Sequence, residues 1–159
     1  MGPEVLVSTI IRSHDNPIKV VDCVRSFFPE WNPSGVPGRL EFPISRDSVM
    51  ISGRVDSLDN LLTILRENRI LDTALDAMAM EADEEGTVFW LSRQSASIGK
   101  VSFVLEGSPL GGTMEVSLNG SDIVLWLEQN TWHRGRDDVP REVGDELAMM
   151  PSGESSEWI

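Results

Sequence analysis

The sequence predicts an α+β fold in which a mostly antiparallel sheet, with helices on one face, forms a two-layer sandwich. Three observations predict it. Short β-branched apolar segments alternate along the chain with apolar stripes at helical spacing. The turn-forming pairs Gly111-Gly112 and Asn119-Gly120 bracket a strand-like segment and favour antiparallel neighbours. The resulting order, β-α-β(β)-α(α)-β-β-β-α, is typical of α+β proteins.

The first two predicted elements are a strand and a helix. Residues 4–12 are apolar and β-branched, which favours a strand. The run Asp15-Asn16-Pro17 is typical of a helix start, because proline is tolerated at the first helical position. Pro29 ends the helix, since the residue before a proline is pushed out of the α region. The apolar stripe of this helix is Ile18, Val21, Val24 and Phe28.

A loop-rich stretch and a second strand follow. Residues 29–45 contain several prolines and glycines, and Leu40 and Phe42 within them predict an edge strand that a proline ends. A further strand is predicted from about residue 47 to 55. Ser57 is the predicted N-cap of the helix that comes next.

Two apolar stripes at helical spacing lie between Ser57 and the turn predicted at residues 83–86. They predict either one kinked helix or two separate helices. Arg66 and Arg69 fall outside the apolar face of the first stripe. The first stripe is Leu58, Leu61, Leu62 and Leu65, and the second is Leu71, Ala74, Leu75 and Met78.

The C-terminal half begins with a strand around Trp90, a polar crossing of small residues at 92–99 and a strand at 101–105. Gly111-Gly112 predicts a hairpin turn into a strand at 113–118. Ser121 or Asp122 is the predicted cap of a last helix. That helix is seeded by Ile123, Trp126 and Leu127, and periodicity places both Trp90 and Trp126 in the core.

Length and composition limit the possible domain organisation and cellular compartment. The 159 residues predict one domain at 1–132 and an acidic, disordered tail at 133–159. The single cysteine, Cys23, excludes an internal disulfide and fits a reducing cytoplasm. No secretory signal is evident, and apolar runs such as 123–127 are far shorter than the ~18 residues of a membrane span. We therefore expect a cytoplasmic protein without a membrane partner.

The formal net charge is −13, and it is unevenly distributed. Residues 1–136 carry −7 and residues 137–159 carry −6. Chains that wrap nucleic-acid phosphates usually have a basic surface, so the bulk charge argues against an extensive nucleic-acid footprint. A local basic face is still compatible with it, because net charge averages over the whole surface. In the alternative interpretation, the acidity serves solubility.

Two segments, residues 68–74 and 89–103, resemble an archaeal family of small uncharacterised proteins, some of them described as predicted RNA-binding proteins. The resemblance covers roughly residues 4–130. The family looks like a structural relative of the large-ribosomal-subunit protein that binds five-S RNA, so the resemblance implies that fold and an RNA-associated function. The chain departs from the family at Leu75, where a basic residue is common.

The candidate nucleic-acid-binding residues are Arg66, Arg69, Arg93, Gln94 and Lys100. Arginine suits phosphate because its planar fork donates two hydrogen bonds at once. If the helix at 57–69 packs beside the crossing at 92–100, the four cations form one anion-binding surface.

The helix arginines and the polar residues of the crossing also have a purely structural interpretation. Arg66 and Arg69 can pair with Glu67 or Asp72 on a solvated helix face, as surface charges commonly do. The polar residues of the crossing can simply allow two backbones to approach closely and satisfy buried amides. Those residues are Ser92, Gln94, Ser95 and Ser97.

Catalytic and metal-binding patterns are not evident in the sequence. Asp83-Glu84-Glu85 places adjacent carboxylates in a turn, where such groups are usually solvated rather than convergent across a cleft. His14 and His133 lack partners at zinc-ligand spacing, and Cys23 lacks a nucleophile signature. We therefore expect a protein that is not an enzyme and uses neither cofactor nor metal.

The sequence favours a non-enzymatic, RNA-associated binding module. Its expected partner is structured RNA, and no sequence readout of DNA is expected. The alternative is a protein-interaction or assembly module without a nucleic-acid role, such as a homodimer formed through a sheet edge or the loop at 29–45.

Overall fold

The computed structural model describes residues 2–36, 48–107 and 111–135, and these residues form four strands and five helices. In chain order the elements are β1 (Glu4–Ile11), α1 (Pro17–Phe27), β2 (Val49–Val55), α2 (Asp59–Glu67), α3 (Leu71–Ala79), β3 (Gly86–Ser92), α4 (Arg93–Ala96), β4 (Thr113–Asn119) and α5 (Ile123–Asn130). The predicted α+β class is confirmed.

The strands of the described residues form one antiparallel sheet in the order β2-β1-β4-β3. Val7 in the central strand β1 lies opposite Gly53 of β2 and opposite Val116 of β4. Phe89 of the edge strand β3 also lies opposite Val116. Because side chains alternate across a strand, these residues share one face. That face packs into the core with the apolar residues of the helices.

An indole ring in the core connects the loop after α1 to the sheet. Trp31 is fully buried, and its Nε1 donates a hydrogen bond to the carbonyl oxygen of Val7 at 2.9 Å. A Cβ atom on Gly53 would lie 2.9 Å from the same Nε1, so the indole needs a glycine in β2. Periodicity assigned no core role to Trp31, because this residue lies in a loop outside any apolar stripe.

Helix α1 begins and ends where the sequence predicts. Asn16 Oδ1 accepts hydrogen bonds from the backbone N–H groups of Ile18 at 3.0 Å and Lys19 at 3.4 Å, and Pro17 is the first helical residue. The predicted stripe is partly wrong, since Ile18 is 46% exposed. The buried residues of α1 are Pro17, Val20, Val21, Val24 and Phe27.

The two leucine-rich stripes form two helices rather than one kinked helix, and every residue predicted in them is buried. Residues 68–70 separate α2 from α3, and Arg69 has a φ of 60° there. Ser57 is not the N-cap of α2, because Leu58 occupies that position. The Ser57 hydroxyl instead accepts a hydrogen bond from the Asp59 N–H at 3.2 Å.

The strand predicted at 101–105 is wrong. Within the described residues this segment meets β3 through one bridge, between Leu91 and Phe103, which two backbone hydrogen bonds of 2.9 Å flank. The chain passes from β3 directly into the short helix α4 at Arg93, so only a few residues return to the edge of β3. Among the described residues, β4 after Gly111-Gly112 pairs with β1 and β3 and not with residues 101–105, so the predicted hairpin between those segments is wrong.

The core position predicted for Trp90 is also wrong. Trp90 is half-buried on the sheet face opposite the helices, and its Nε1 donates a hydrogen bond to Glu115 Oε1 at 3.2 Å. Its neighbours Phe89 and Leu91 point into the core instead, as strand alternation requires. Trp126 is half-buried and packs against the core.

Asp122 holds the N-cap position of α5 with a φ of 53°, and its side chain makes no capping hydrogen bond. The edge strand predicted at Leu40 and Phe42 lies outside the described residues. Of the tail predicted to be disordered from residue 133, residues 133–135 are described and residues 136–159 lie outside the described part. Every helix in the described part of the chain is too short or too polar to cross a membrane.

Candidate functional site

The structure divides the five predicted binding residues between two places. Arg66 and Arg69 line one cavity, whereas Arg93 and Gln94 line another. Lys100 is exposed and lines neither of them. Helix α4 packs mainly against α1, which also contacts α2. The described residues therefore do not join the four cations in one surface.

The first cavity lies where α2 ends and α3 begins, and it has a volume of 490 Å³. We call it the Arg66–Arg69 cavity. Its lining residues are Arg66, Arg69, Ile70, Leu71, Asp72, Thr73 and His133. The sequence did not associate His133 with the arginines, since nothing local relates it to a helix end about sixty residues earlier.

A tight turn at the end of α2 positions Arg69. The Arg69 N–H donates a hydrogen bond to the Arg66 carbonyl oxygen, and the Ile70 N–H donates to that of Leu65, both at 3.1 Å. This pair of bonds is the Schellman arrangement, whose left-handed position is usually occupied by glycine. Arginine adopts the left-handed conformation with φ of 60° here, at a cost of roughly 1–2 kcal/mol.

The opposite wall of the cavity is formed by the chain that follows α5. Arg66 Nη1 donates a hydrogen bond to the Trp132 carbonyl oxygen at 3.1 Å. His133 Nε2 lies 3.0 Å from Asp72 Oδ1 in the first turn of α3. These two contacts hold Trp132, the last residue of the predicted domain, and His133, the first residue of the predicted tail, against the ends of both helices.

The cavity is a local concentration of hydrogen-bond donors. Arg66 and Arg69 are exposed, and the salt bridges of the described residues involve other side chains. The predicted alternative, in which these arginines pair with Glu67 or Asp72, is therefore not observed there. The N-cap residue of helix α3, Ile70, makes no side-chain capping hydrogen bond, and the positive end of the helix dipole faces the cavity side of this turn. Guanidinium groups beside a helix N-terminus suit an anion.

Arg93 has a different environment from that of Arg66 and Arg69. It is 5% exposed, and its guanidinium donates to the carbonyl oxygens of Gly111 at 2.7 Å and Ile10 at 2.8 Å, and to Thr9 Oγ1 at 2.9 Å. Its Nη2 lies 3.1 Å from Asp15 Oδ2. These contacts join α4 to β1 and to the segment before β4, which is a structural role.

The remaining residues of the crossing build the α4 turn. Ser92 Oγ accepts a hydrogen bond from the Ser95 N–H at 3.2 Å, and Ser95 Oγ lies 2.9 Å from Ser102 Oγ. Ser97 Oγ donates to the Gln94 carbonyl oxygen at 2.6 Å. These bonds support the structural interpretation of the serines. The Gln94 side chain, in contrast, is exposed and lines the cavity that also includes Arg93.

The second cavity has a volume of 420 Å³ and includes His14, Lys19 and Cys23 besides Arg93 and Gln94. Burial raises the pKa of the Cys23 thiol, and the nearby Arg93 charge offsets part of that rise. The thiol is therefore protonated at neutral pH, which disfavours a nucleophilic role.

The acidic turn after α3 has a structural use. Asp83 Oδ1 accepts hydrogen bonds from the N–H groups of Glu85 at 2.8 Å and Gly86 at 3.0 Å, which orients the chain into β3. Across the three described stretches, no group of three metal-ligating side chains converges.

The chain is similar to several archaeal proteins. A UPF0201 protein of Metallosphaera sedula is 31% identical over 136 residues, covering 83% of this chain and 91% of the relative. A UPF0201 protein of Methanothermobacter thermautotrophicus is 28% identical over 142 residues, covering 89% and 98%. The crystal structure of a UPF0201 protein from Methanococcus jannaschii superposes with a TM-score of 0.69 at 20% identity, covering 83% and 96%. No family model matches the chain.

Proposed function

The chain belongs to the UPF0201 family of archaeal proteins, and from that premise we propose that it is a non-enzymatic, RNA-associated binding module that contacts phosphates through the Arg66–Arg69 cavity. One observation carries the proposal. In an acidic protein, two exposed arginines line the same cavity, and neither forms a salt bridge with a described carboxylate.

The chemistry of the cavity supports a phosphate ligand. Each guanidinium presents a planar fork of N–H donors that matches two phosphate oxygens. The N-terminus of α3 adds the positive end of the helix dipole. The Asp72 carboxylate in that turn opposes an anion, and one of its oxygens, Oδ1, is engaged by His133 Nε2 at 3.0 Å.

The choice of RNA rests on fold resemblance. Residues 68–74, which resemble the archaeal family, form the junction of α2 and α3 that carries Arg69. The same resemblance connects the fold with the ribosomal protein that binds five-S RNA. Fold analogy alone associates many functions with one architecture, so the arginine cavity is the physical part of the proposal.

The proposal is tested by the binding of the full-length chain to total cellular RNA at low and high salt. We expect weak binding that decreases steeply with salt, because phosphate contacts release counterions. With two arginine contacts, the logarithm of the affinity should fall with the logarithm of the salt concentration with a slope of about −1.4. The double substitution Arg66→Glu and Arg69→Glu should abolish the binding.

A matched control separates the cavity from the bulk charge. Lys19→Glu with Arg54→Glu changes the net charge by the same amount at two exposed positions away from the cavity. If this pair weakens binding as much as the cavity pair does, the cavity is not the contact. Lys100→Glu tests the remaining predicted cation by itself. Absence of RNA binding even at low salt would contradict the RNA function altogether.

The alternative function is assembly with a second copy of the chain. The specific observation in its favour is an apolar pair on the sheet face opposite the helices, where Ile10 and Met50 lie opposite each other and are 42% and 61% exposed. Sedimentation equilibrium of the chain and of Met50→Glu distinguishes this function. A dimer that the substitution dissociates would support assembly, and a monomer at all concentrations would exclude it.

A further inference from the structure

We infer that a cavity on the sheet face opposite the helices binds a small zwitterion, with its ammonium group at Glu115 and its carboxylate group at Arg12. We call it the sheet-face cavity. It has a volume of 110 Å³, and its lining includes Ser8, Ile10, Arg12, Met50, Trp90 and Glu115. This site is separate from the Arg66–Arg69 cavity, and the inference does not depend on the proposed function.

One end of the cavity is a row of polar side chains that crosses all four strands of the described sheet. Ser8 of β1 lies opposite Ser52 of β2 on one side and opposite Glu115 of β4 on the other. Trp90 of β3 completes the row opposite Glu115, and its Nε1 donates a hydrogen bond to Glu115 Oε1 at 3.2 Å. The Ser8 and Ser52 hydroxyl oxygens are 2.8 Å apart. The row therefore places a half-buried carboxylate between a hydroxyl pair and an indole ring.

Glu115 is the negative group of the cavity. Within the described part of the chain, no lysine, arginine or histidine forms a salt bridge with its carboxylate. A half-buried charge without a counter-ion is costly, because burial removes part of its hydration. An ammonium group suits this position, since it donates to a carboxylate and is attracted by an indole ring. Because the indole already engages one carboxylate oxygen, a bidentate guanidinium suits the position less.

The lining changes along β1 from polar to apolar and then to cationic. Ile10 lies opposite Met50, and both side chains are exposed. Arg12 follows two residues after Ile10 and is exposed as well. At ~3.4 Å per residue along a strand, Arg12 lies roughly 13 Å from Ser8, the residue opposite Glu115. The cavity therefore presents a carboxylate, an apolar stretch and a guanidinium in that order.

The other charges at the cavity leave this order unchanged. Arg93 also lines the cavity, but it is 5% exposed and pairs with Asp15 at 3.1 Å, which compensates its charge. The Arg12 guanidinium has five N–H donors, so it can keep a contact within its own chain and still donate to a ligand. Charges roughly 13 Å apart are largely screened from each other at physiological salt, where the Debye length is about 8 Å. Glu115 and Arg12 can therefore hold opposite ends of one ligand.

A zwitterion whose two charges are separated by a short apolar chain matches this order. Its ammonium group donates to Glu115, its methylenes contact Ile10 and Met50, and its carboxylate accepts hydrogen bonds from Arg12. At ~30 Å³ for each water-sized group, the 110 Å³ cavity holds about four such groups. An ammonium group and about three methylenes have this size, which leaves the carboxylate at the exposed Arg12. The ligand class is therefore an amino acid whose amine is several carbons away from its carboxylate.

Nuclear magnetic resonance of the full-length protein with γ-aminobutyrate as the probe tests the inference. We expect the probe to shift the resonances of the Trp90 indole N–H and the Met50 methyl group in a saturable way. Butylammonium and butyrate have the same carbon chain, but each lacks one of the two charges. Each should bind roughly tenfold more weakly, because a hydrogen bond to a charged group is lost. Glycine, whose charges are too close together to reach both ends, should also bind more weakly.

The comparison of ligands uses the unaltered protein, so it does not depend on the folding of a variant. The inference is wrong if γ-aminobutyrate causes no saturable shift, or if either singly charged ligand binds as tightly as γ-aminobutyrate. Tighter binding of glycine would also overturn it, because the two charges of the site would then not lie at opposite ends.

Two substitutions assign the ends of the ligand. Glu115→Gln keeps an acceptor for the Trp90 indole but removes the charge, so γ-aminobutyrate should then bind no more tightly than butyrate. Arg12→Met keeps an apolar chain but removes the guanidinium, so γ-aminobutyrate should then bind no more tightly than butylammonium. The matched controls Glu4→Gln and Arg54→Met remove the same charges at exposed positions that do not line the cavity, and they should leave the affinity unchanged. Losses of equal size in the controls would assign the effect to bulk charge and overturn the inference.

Discussion

At the residue scale, Arg69 combines a strained backbone with an exposed cationic side chain. Its φ of 60° lies at the position of the Schellman turn where glycine is the usual residue. Strained residues persist where the surrounding structure enforces them, and they concentrate at binding sites. The strained backbone at Arg69 therefore lowers the folding stability, at a position where the side chain lines the cavity.

We expect Arg69→Gly to stabilise the protein by about 1 kcal/mol, because glycine adopts the left-handed conformation without steric cost. The free energy of unfolding in urea measures the change. Arg66→Gly is the matched control, since the same substitution inside α2 should destabilise the protein by about 1 kcal/mol. A loss of stability in Arg69→Gly would show that the arginine side chain makes contacts that outweigh the strain.

At the element scale, Arg93 holds α4 in place. Its guanidinium donates to β1 and to the segment before β4, and it pairs with Asp15 at the start of α1. Gly112 leaves room for this side chain, since a Cβ there would lie 2.6 Å from Arg93 Nη2.

Arg93→Ala should therefore lower the free energy of unfolding by about 3–5 kcal/mol, because it leaves buried acceptors and the Asp15 carboxylate without their donor. Urea denaturation followed by circular dichroism measures the loss. Lys19→Ala removes an exposed cation of similar length from the rim of the same cavity and should change stability little. A small effect of Arg93→Ala would mean that water replaces the guanidinium.

The elements that the sequence predicted correctly depend on local signals. The Asn16-Pro17 start of α1 and the leucine stripes of α2 and α3 are determined by residues within a turn or two of each other. The residues that define the two cavities depend instead on distant contacts. Arg93 meets Thr9 across 84 positions, and His133 meets Asp72 across 61. Neither pairing leaves a pattern in one sequence, so Arg93 resembled a surface cation and His133 an isolated histidine.

At the scale of the whole molecule, salt should affect stability, through the net charge of −13, and RNA affinity, through the cationic cavity, in opposite directions. Self-repulsion among carboxylates destabilises the compact state, and salt screens it. We therefore expect the melting temperature to rise with NaCl, measured by calorimetry, while any affinity for RNA falls. A melting temperature that decreases with salt would indicate that attractive ion pairs dominate instead.

The sheet order has a consequence for how the chain folds as it is synthesised. β1, at the N-terminus, is a central strand whose second partner, β4, arrives more than a hundred residues later. Until β4 leaves the ribosome, one edge of an apolar strand has no partner, and an unpaired edge invites pairing with other chains. Closing such a long loop also slows folding. The nascent N-terminal half therefore passes through its most aggregation-prone stage before the sheet can be completed.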